Sequence, residues 1–96
     1  MAEFRISPRA QRDLEGIFAY STEHWGVEQA NRYNERIESV CGELADAPEL
    51  APRCDDLRKG YRRWNVSSHA IYFRVTANGI AVMRILHGSM DPRRHL

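Results

Sequence analysis

The alternation of apolar and polar positions predicts that the chain begins with a short strand leading directly into a helix. Residues 3–7 alternate polar and apolar, which is typical of an edge strand with Phe4 and Ile6 facing inward. Ser7 and Pro8 have the composition of a helix start, with serine as the N-cap and proline at the first helical position. The strand is therefore expected to end at the first turn of a helix.

An apolar stripe at helical spacing follows this start. It contains Leu14, Ile17 and Phe18, and the same stripe extends two turns further to Trp25. Gly26 is expected to end the helix in a left-handed cap, because glycine adopts positive φ without a steric cost.

A second helix is predicted from about Val27 to Ala47, with Pro48 ending it. The single glycine between the two helices predicts an antiparallel helical hairpin, and its apolar faces need a sheet to cover. The residues that recur at helical spacing on the second helix are Ala30, Tyr33, Ile37, Val40, Cys41 and Leu44.

The second half of the chain predicts three strands. A loop rich in Pro, Asp and Arg spans residues 48–60, residues 61–66 alternate as a strand does, and a turn is expected at 67–68. Two further runs rich in β-branched and aromatic residues flank Asn78 and Gly79. These two residues are expected at the centre of a tight hairpin turn, because both tolerate positive φ.

The predicted order is β-α-α-β-β-β, a single α+β domain over residues 1–96 with a mostly antiparallel sheet packed against the N-terminal helical hairpin. A hydrophobic fraction of 43% and a charged fraction of 28% are ordinary for a soluble globular chain. No run approaches the roughly 18 apolar residues that suggest a membrane span. The N-terminus lacks the apolar core of a secretory signal, so we expect a cytoplasmic protein without a membrane partner.

Cysteine and histidine spacing gives no indication of a metal site. Cys41 and Cys54 lie outside a C-x-x-C spacing, and free thiols are expected in a cytoplasmic chain. The four histidines show neither the H-x-x-x-H pattern nor a Cys/His ligand spacing. We therefore expect no metal and no cofactor.

Charge is distributed unevenly along the chain. The net charge is +1, but residues 1–50 carry five Arg against ten Asp and Glu, and residues 51–96 carry nine Lys and Arg against three Asp. A basic half can contact phosphates or an acidic protein surface.

The basic residues of the second half are the candidate partner-binding set. Arginines lie on three predicted neighbouring strands, where some could converge on one face, and a histidine and a basic C-terminal tail follow. Arg and His without a nearby carboxylate suit contact with a phosphate or an acidic peptide. The set comprises Arg62, Arg63, Arg74, Arg84, His87, Arg93, Arg94 and His95.

The alternation of residues does not show which side of the last strand faces the helices. Arg84 alternates with Val82 and Leu86, whereas His87 shares a side with Met83 and Ile85, and the pattern alone does not say which side faces the helices. The helical aromatics are interpreted as core residues, namely Phe18, Tyr20, Trp25 and Tyr33.

Catalysis by these residues finds little specific support. No nucleophile elbow, catalytic triad or Gly-rich phosphate loop is present. A ribonuclease could use histidine as general acid or base and arginine to stabilise phosphate, in which case His87, Arg84 and Arg62 are the candidates.

An ordered set of short motifs spans nearly the whole chain, and in this set the chain resembles the ParE toxins of the RelE/ParE superfamily. The motifs are Asp13-Leu14-Glu15-x-Ile17-x-x-Tyr20, Trp25-Gly26-x-x-x-Ala30-x-x-Tyr33, Leu44-Ala45-x-x-Pro48, Asp56-Leu57-Arg58-x-Gly60-Tyr61-Arg62, Ser68-His69-x-Ile71-Tyr72-Phe73-Arg74, and Arg84-Ile85-Leu86-His87-x-x-Met90-Asp91-x-x-Arg94-His95-Leu96.

The resemblance implies the toxin of a bacterial type II toxin–antitoxin pair. A ParD-like antitoxin would hold it inactive in a hetero-oligomer, and the free toxin would poison DNA gyrase by binding. It would perform no chemistry and would bind no specific DNA sequence by itself. The resemblance also implies that family's fold.

Two alternatives stay open at this stage. The RelE branch shares the fold but cuts mRNA on the ribosome with basic residues, and often a Tyr or His near the C-terminus. This chain has one lysine and no tyrosine after Tyr72, which departs from that pattern, but His87 and His95 keep mRNA cleavage as the runner-up. The other alternative is an inactive toxin that only binds its antitoxin.

Overall fold

A computed structural model of the chain describes residues 2–96 and confirms the predicted order of elements, with one short helix added at the end. A 3₁₀ turn at Pro48–Leu50 lies in the long loop. The helices and strands are β1 (Glu3–Ile6), α1 (Pro8–Trp25), α2 (Val27–Asp46), β2 (Tyr61–Val66), β3 (His69–Thr76), β4 (Gly79–His87) and α3 (Pro92–His95).

The four strands form one sheet in the order β1-β4-β3-β2, so the β3–β4 hairpin lies at the centre of the sheet. β2, β3 and β4 pair antiparallel, whereas the edge strand β1 is parallel to β4. One face of the sheet packs against α1 and α2. Its core brings together the sheet residues Ile71, Phe73, Ile80, Val82 and Ile85 with the helix residues Leu14, Ile17, Ile37, Cys41 and Leu44.

The predicted helix start at Ser7 is confirmed, and it also attaches α1 to the sheet. The Ser7 hydroxyl accepts a hydrogen bond from the Ala10 backbone N–H at 3.0 Å and donates to the carbonyl of Met83 at 3.0 Å. The Ser7 backbone N–H donates to the carbonyl of Val82 at 2.9 Å. The cap residue thus fixes the first turn of α1 against β4.

The predicted left-handed cap at Gly26 is wrong in detail. Gly26 has φ 91° and ψ 162°, so its φ is positive but it lies outside the left-handed helical region. Its N–H donates to the carbonyl of Thr22 at the end of α1, and its carbonyl accepts from Ala30 in the first turn of α2. This single residue therefore closes one helix and opens the next.

Trp25 does not continue the buried stripe of α1. The buried positions of α1 are Ala10, Leu14, Ile17 and Ser21, and Trp25 is 58% exposed. It lies in the last turn of the helix, beside Gly26, where the chain reverses. Tyr20, also interpreted as core, is 56% exposed.

Gly79 is required for a different reason from the one predicted. The two turn residues are Ala77 and Asn78, because Thr76 pairs with Gly79 as the first residue of β4. Ser67 is the only non-glycine residue with positive φ in residues 2–96, so Asn78 does not use a left-handed conformation. Gly79 lies instead against the backbone of Glu3, where a Cβ would clash. The close approach of β1 is what excludes a side chain there.

A bulge in β4 breaks the alternation assumed for this strand. Phe73 pairs with Val82, whereas Tyr72 pairs with Arg84, so Met83 is the additional residue of β4. Val82 and Ile85 consequently both lie in the core against the helices, and Met83 and Leu86 pack on the opposite face. The predicted grouping of Val82 with Leu86, and of Met83 with Ile85, is therefore wrong.

Candidate functional site

The predicted basic residues share one face of the sheet only in part. Arg63 pairs with Tyr72 and Arg74 pairs with Tyr61, and both arginines are exposed on the sheet face that packs Tyr61 and Tyr72, away from α1 and α2. Arg62 is half-buried, lies one strand position from Arg63, and donates to the carbonyl of Ala51 at 2.6 Å. Arg62 therefore holds the long loop against β2.

Arg84 lies beside a carboxylate that the sequence did not indicate. Its Nε and Nη2 donate to the two carboxylate oxygens of Asp13 at 2.8 and 2.9 Å, and the two side chains are only 12% and 14% exposed. Asp13 also accepts from the Ile85 backbone N–H at 2.9 Å. Since β1 pairs with β4 only up to Val82, the Asp13 carboxylate satisfies the edge of β4 beyond the end of β1. Arg84 is thus not part of an open basic surface.

The C-terminal tail (residues 93–96) is attached to the body of the protein through its backbone. The carbonyl of His95 accepts from Arg84 Nη1 at 2.7 Å and from Arg9 Nη2 at 3.1 Å. Leu96 packs against the apolar cluster of Tyr61, Tyr72 and Leu86, on the sheet face away from α1 and α2. The side chains of Arg93 and Arg94 remain 68% and 83% exposed, and their carboxylate partners are 3.9 Å away.

Two histidines meet at the end of the sheet. The register of the β3–β4 hairpin pairs His69 with His87, and their rings lie edge to face with centroids 5.2 Å apart. His69 Nδ1 is 2.7 Å from the hydroxyl of Tyr33, which donates to the carbonyl of Val66 at 3.1 Å. The Tyr33 hydroxyl therefore accepts the Nδ1 proton of His69, and the neutral ring keeps an unprotonated Nε2.

His87 has the complementary tautomer. Its Nδ1 accepts from the Ser89 backbone N–H at 3.0 Å and lies 2.8 Å from the Ser89 hydroxyl. The neutral ring consequently carries its proton on Nε2. One ring of the pair offers an acceptor and the other a donor, which is the arrangement that proton transfer requires.

Burial and neighbouring charges shift the pKa values of Tyr33 and His69. Burial lowers the pKa of His69, and the neighbouring His87 lowers it further. Burial raises the pKa of Tyr33, which the hydrogen bonds of the Ser67–Ser68 turn and the charge of Arg36 partly oppose. Both side chains are therefore neutral near pH 7.

These side chains line a groove of about 1020 Å³ between the helical hairpin and the ends of β3 and β4, which we call the histidine groove. Arg32 and Arg36 lie one turn apart on α2, both are exposed, and neither forms an ion pair within residues 2–96. The groove residues that carry charge, imidazole or large aromatic rings are Asp13, Tyr20, Trp25, Arg32, Tyr33, Arg36, His69 and His87.

Sequence reasoning missed most of this groove. His87 was a candidate, but Tyr33 was interpreted as core, and His69, Arg32 and Arg36 were not selected. The signal was available for the histidines, because His69 and His87 lie nearly the same distance on either side of the hairpin turn. No comparable signal in the sequence places Arg32 and Arg36 in the groove, because their position depends on how α2 is rotated about its axis against the sheet.

The two cysteines are free thiols and both are buried. Burial raises the pKa of Cys41 to about 12, and burial also raises the pKa of Cys54. Neither thiol is therefore ionised near pH 7. Within residues 2–96, no three His, Cys, Asp or Glu side chains are grouped as a metal site would need.

Comparison with known proteins identifies the family. Residues 4–92 match the family described as the ParE toxin of type II toxin-antitoxin system, parDE. The chain belongs to the ParE toxin family. Toxin ParE1 of Caulobacter vibrioides is 38% identical to it over 96 residues, which cover 100% of this chain and 99% of that protein. Toxin ParE1 of Mycobacterium tuberculosis is also 38% identical, over 99% of this chain and 98% of that protein.

Solved structures show the same fold in other toxins. A chain of the chromosomal ParDE TA system from P. aeruginosa superposes with a TM-score of 0.77 at 20% identity, covering 91% of this chain and 96% of that chain. A chain of the YoeB-YefM complex from Staphylococcus aureus gives a TM-score of 0.59 at 15% identity, covering 91% and 97%. The RelE/ParE-like fold and the resemblance to ParE toxins are thus confirmed. In residues 2–96, the helices of this ParE toxin are too short or too polar to cross a bilayer.

Proposed function

We propose that this ParE toxin stops bacterial growth by binding DNA gyrase, without performing chemistry, and that a ParD-like antitoxin holds it inactive in the cytoplasm. The observation that carries the proposal is the extent of the family relationship. It covers residues 4–92, and the similarity to the ParE1 proteins extends over nearly the entire length of each. Gyrase poisoning is the activity that the resemblance to ParE toxins implies.

The proposed antitoxin contact is supported by the structural neighbours and by the surface of this chain. The two similar folds come from structures named as the chromosomal ParDE TA system and the YoeB-YefM complex. The histidine groove lies beside the exposed ends of α1 and α2 and carries the exposed charges of Arg32 and Arg36. An amphipathic antitoxin segment with acidic residues suits such a groove.

The proposed gyrase contact is the C-terminal tail. The His95 carbonyl is fixed by Arg84 and Arg9, so the exposed side chains of Arg93 and Arg94 project from a turn with a defined position. A fixed basic turn loses less conformational entropy on binding than a free tail would. Toxicity should therefore depend on these two charges.

The experiment compares growth arrest on expression of the chain with and without its antitoxin. The double variant Arg93→Gln/Arg94→Gln is expected to arrest growth at least tenfold less effectively, measured as the survival of induced cells. The matched control is Arg5→Gln/Arg12→Gln, which removes two exposed arginines from β1 and α1 and should remain toxic. If the tail variant is fully toxic at the same level of folded protein as the wild type, the tail is not the gyrase contact.

Cleavage of mRNA is the second candidate, and the tautomers of His69 and His87 favour it. They supply one acceptor and one donor within a groove that also holds Arg32 and Arg36. The other sequence-based nuclease candidates, Arg84 and Arg62, are occupied by Asp13 and the Ala51 carbonyl. If the chain is a nuclease, purified protein will cut ribosome-bound mRNA and His87→Ala will abolish the cut. Intact mRNA with wild-type protein would exclude it.

A further inference from the structure

The histidine groove carries a combination of charge and aromatic surface that the proposed gyrase contact does not use. Arg32 and Arg36 project from α2 on one side, and His69 and His87 lie at the strand ends. Among the described residues that line the groove, Asp13 is the only carboxylate, and Arg84 already neutralises it. The groove therefore has a net positive charge and complements an anionic ligand.

The mouth of the groove adds a surface suited to planar rings. Trp25 and Tyr20 both line it and are 58% and 56% exposed, with their ring centroids 5.8 Å apart. One face of Tyr20 is already covered by His24, stacked at 3.9 Å. The indole of Trp25 is thus the more accessible ring. Leaving such a large apolar side chain in water has no structural explanation in α1, whose buried stripe ends at Ser21.

We propose that the histidine groove binds single-stranded nucleic acid, with the phosphodiester backbone on Arg32 and Arg36 and an unstacked base on Trp25. Guanidinium groups bind phosphate oxygens in a bidentate geometry, and base–aromatic stacking adds affinity that depends little on sequence. The hydroxyls of the Ser67–Ser68 turn and of Ser89 line the same groove and offer further hydrogen bonds. A double helix, whose bases are stacked inside, cannot use the indole, so the groove should prefer single strands.

The test is direct binding of fluorescently labelled ten-nucleotide RNA and DNA oligonucleotides, followed by anisotropy as a function of salt. Wild-type protein is expected to bind either single strand more tightly than a duplex of the same length. Arg32→Gln/Arg36→Gln should weaken binding at least about tenfold and reduce the slope of log affinity against log salt by about 1.4, since each phosphate contact on a single strand contributes about 0.7. Trp25→Leu should weaken binding about fivefold or more.

The matched control is again Arg5→Gln/Arg12→Gln, which lowers the net charge by the same amount outside the groove. It should change the affinity less than about twofold, because only overall charge is altered. Equal losses for the two double variants would overturn the proposal, as would preferential binding of the duplex or no binding at low salt. Equal affinity for a ten-residue polyglutamate peptide would show that the groove binds any anionic chain, which would overturn the nucleic-acid assignment and leave the proposed antitoxin contact standing.

This inference is separable from the proposed function. The groove variants can be assayed for gyrase poisoning, and the tail variant for oligonucleotide binding. Loss of oligonucleotide binding with retained growth arrest would place the two activities on different surfaces, as the geometry indicates. Oligonucleotide affinity that depends on Arg93 and Arg94 rather than on Arg32 and Arg36 would overturn the groove as the site.

Discussion

At the scale of single residues, the Asp13 side chain connects elements that lie far apart in the sequence. Its carboxylate binds Arg84 through two hydrogen bonds, accepts the Ile85 backbone N–H, and thereby joins α1 to β4 where β1 has ended. Arg84 in turn binds the His95 carbonyl of α3. Hydrogen bonding to Asp13 raises the pKa of Arg84, so the guanidinium stays charged. One ion pair therefore positions a helix, a strand and the tail.

Replacing Asp13→Asn should destabilise the protein by about 3 kcal/mol, because the Arg84 guanidinium is left in a nearly enclosed site without a counter-charge. The free energy of unfolding by urea measures this loss. The matched control is Asp56→Asn, which removes an exposed partner 3.9 Å from Arg93 and should leave the unfolding midpoint unchanged. Equal midpoints for the two variants would show that the Asp13–Arg84 pair does not hold the fold together.

His69 should make stability depend on pH. Folding lowers its pKa, so the unfolded chain binds the proton more strongly than the folded one. The free energy of unfolding should therefore be constant above the ordinary histidine pKa of 6.5 and fall as the pH drops below that value. Urea unfolding at about pH 7.5 and about pH 5.5 measures the loss.

His69→Gln should reduce this pH dependence, whereas His24→Gln should keep it, because His24 is exposed at the end of α1. A wild-type protein equally stable at both pH values would contradict the lowered pKa of His69.

At the scale of elements, the attachment of β1 depends on one glycine. The Glu3 backbone N–H donates to the Asn78 carbonyl at 2.8 Å, and the Glu3 backbone occupies the space that a side chain on residue 79 would need. Residue 79 must therefore be glycine because β1 pairs in parallel with β4, and not because of the turn. No local sequence pattern shows this pairing.

Gly79→Ala should cost about 2 kcal/mol or more, because the new methyl group displaces the backbone of β1. Hydrogen exchange of the Glu3–Ile6 amides reports the loss of pairing, and urea unfolding reports its free energy. Gly42→Ala is the control: it lies within α2 with open space around it and should stabilise the protein by up to about 1 kcal/mol. Unchanged exchange in β1 after Gly79→Ala would show that the close contact is not needed.

The sequence predicted the elements well and their contacts only in part. The bounds of β2 and the start of α1 followed from local patterns, namely alternation and the Ser7-Pro8 pair, which act within a few residues. The arginine set forms no common open surface, although Arg63 and Arg84 both pair with Tyr72. Arg84 is held by Asp13, which lies 71 residues away in the sequence and is brought to it only by folding. Trp25 likewise lies in the last turn of α1, beyond Ser21, the last buried position of that helix.

At the scale of the whole molecule, the fold presents two separate surfaces. The histidine groove lies between the helical hairpin and the ends of the central strands, and the basic tail is fixed by the Arg84 network. Asp13 links them, because it lines the groove and anchors the arginine that holds the tail. An antitoxin that occupies the groove and a target that engages the tail would therefore act on neighbouring parts of one rigid framework.

The most direct test of the proposed function is DNA cleavage by gyrase in the presence of the purified chain, ATP and supercoiled plasmid. Linear DNA is measured after detergent and protease, with antitoxin added back as the control. The proposal predicts that linear DNA accumulates with the chain and disappears when antitoxin is present. No linear DNA from folded protein that arrests growth would contradict gyrase poisoning and make mRNA cleavage at His87 the function to test next.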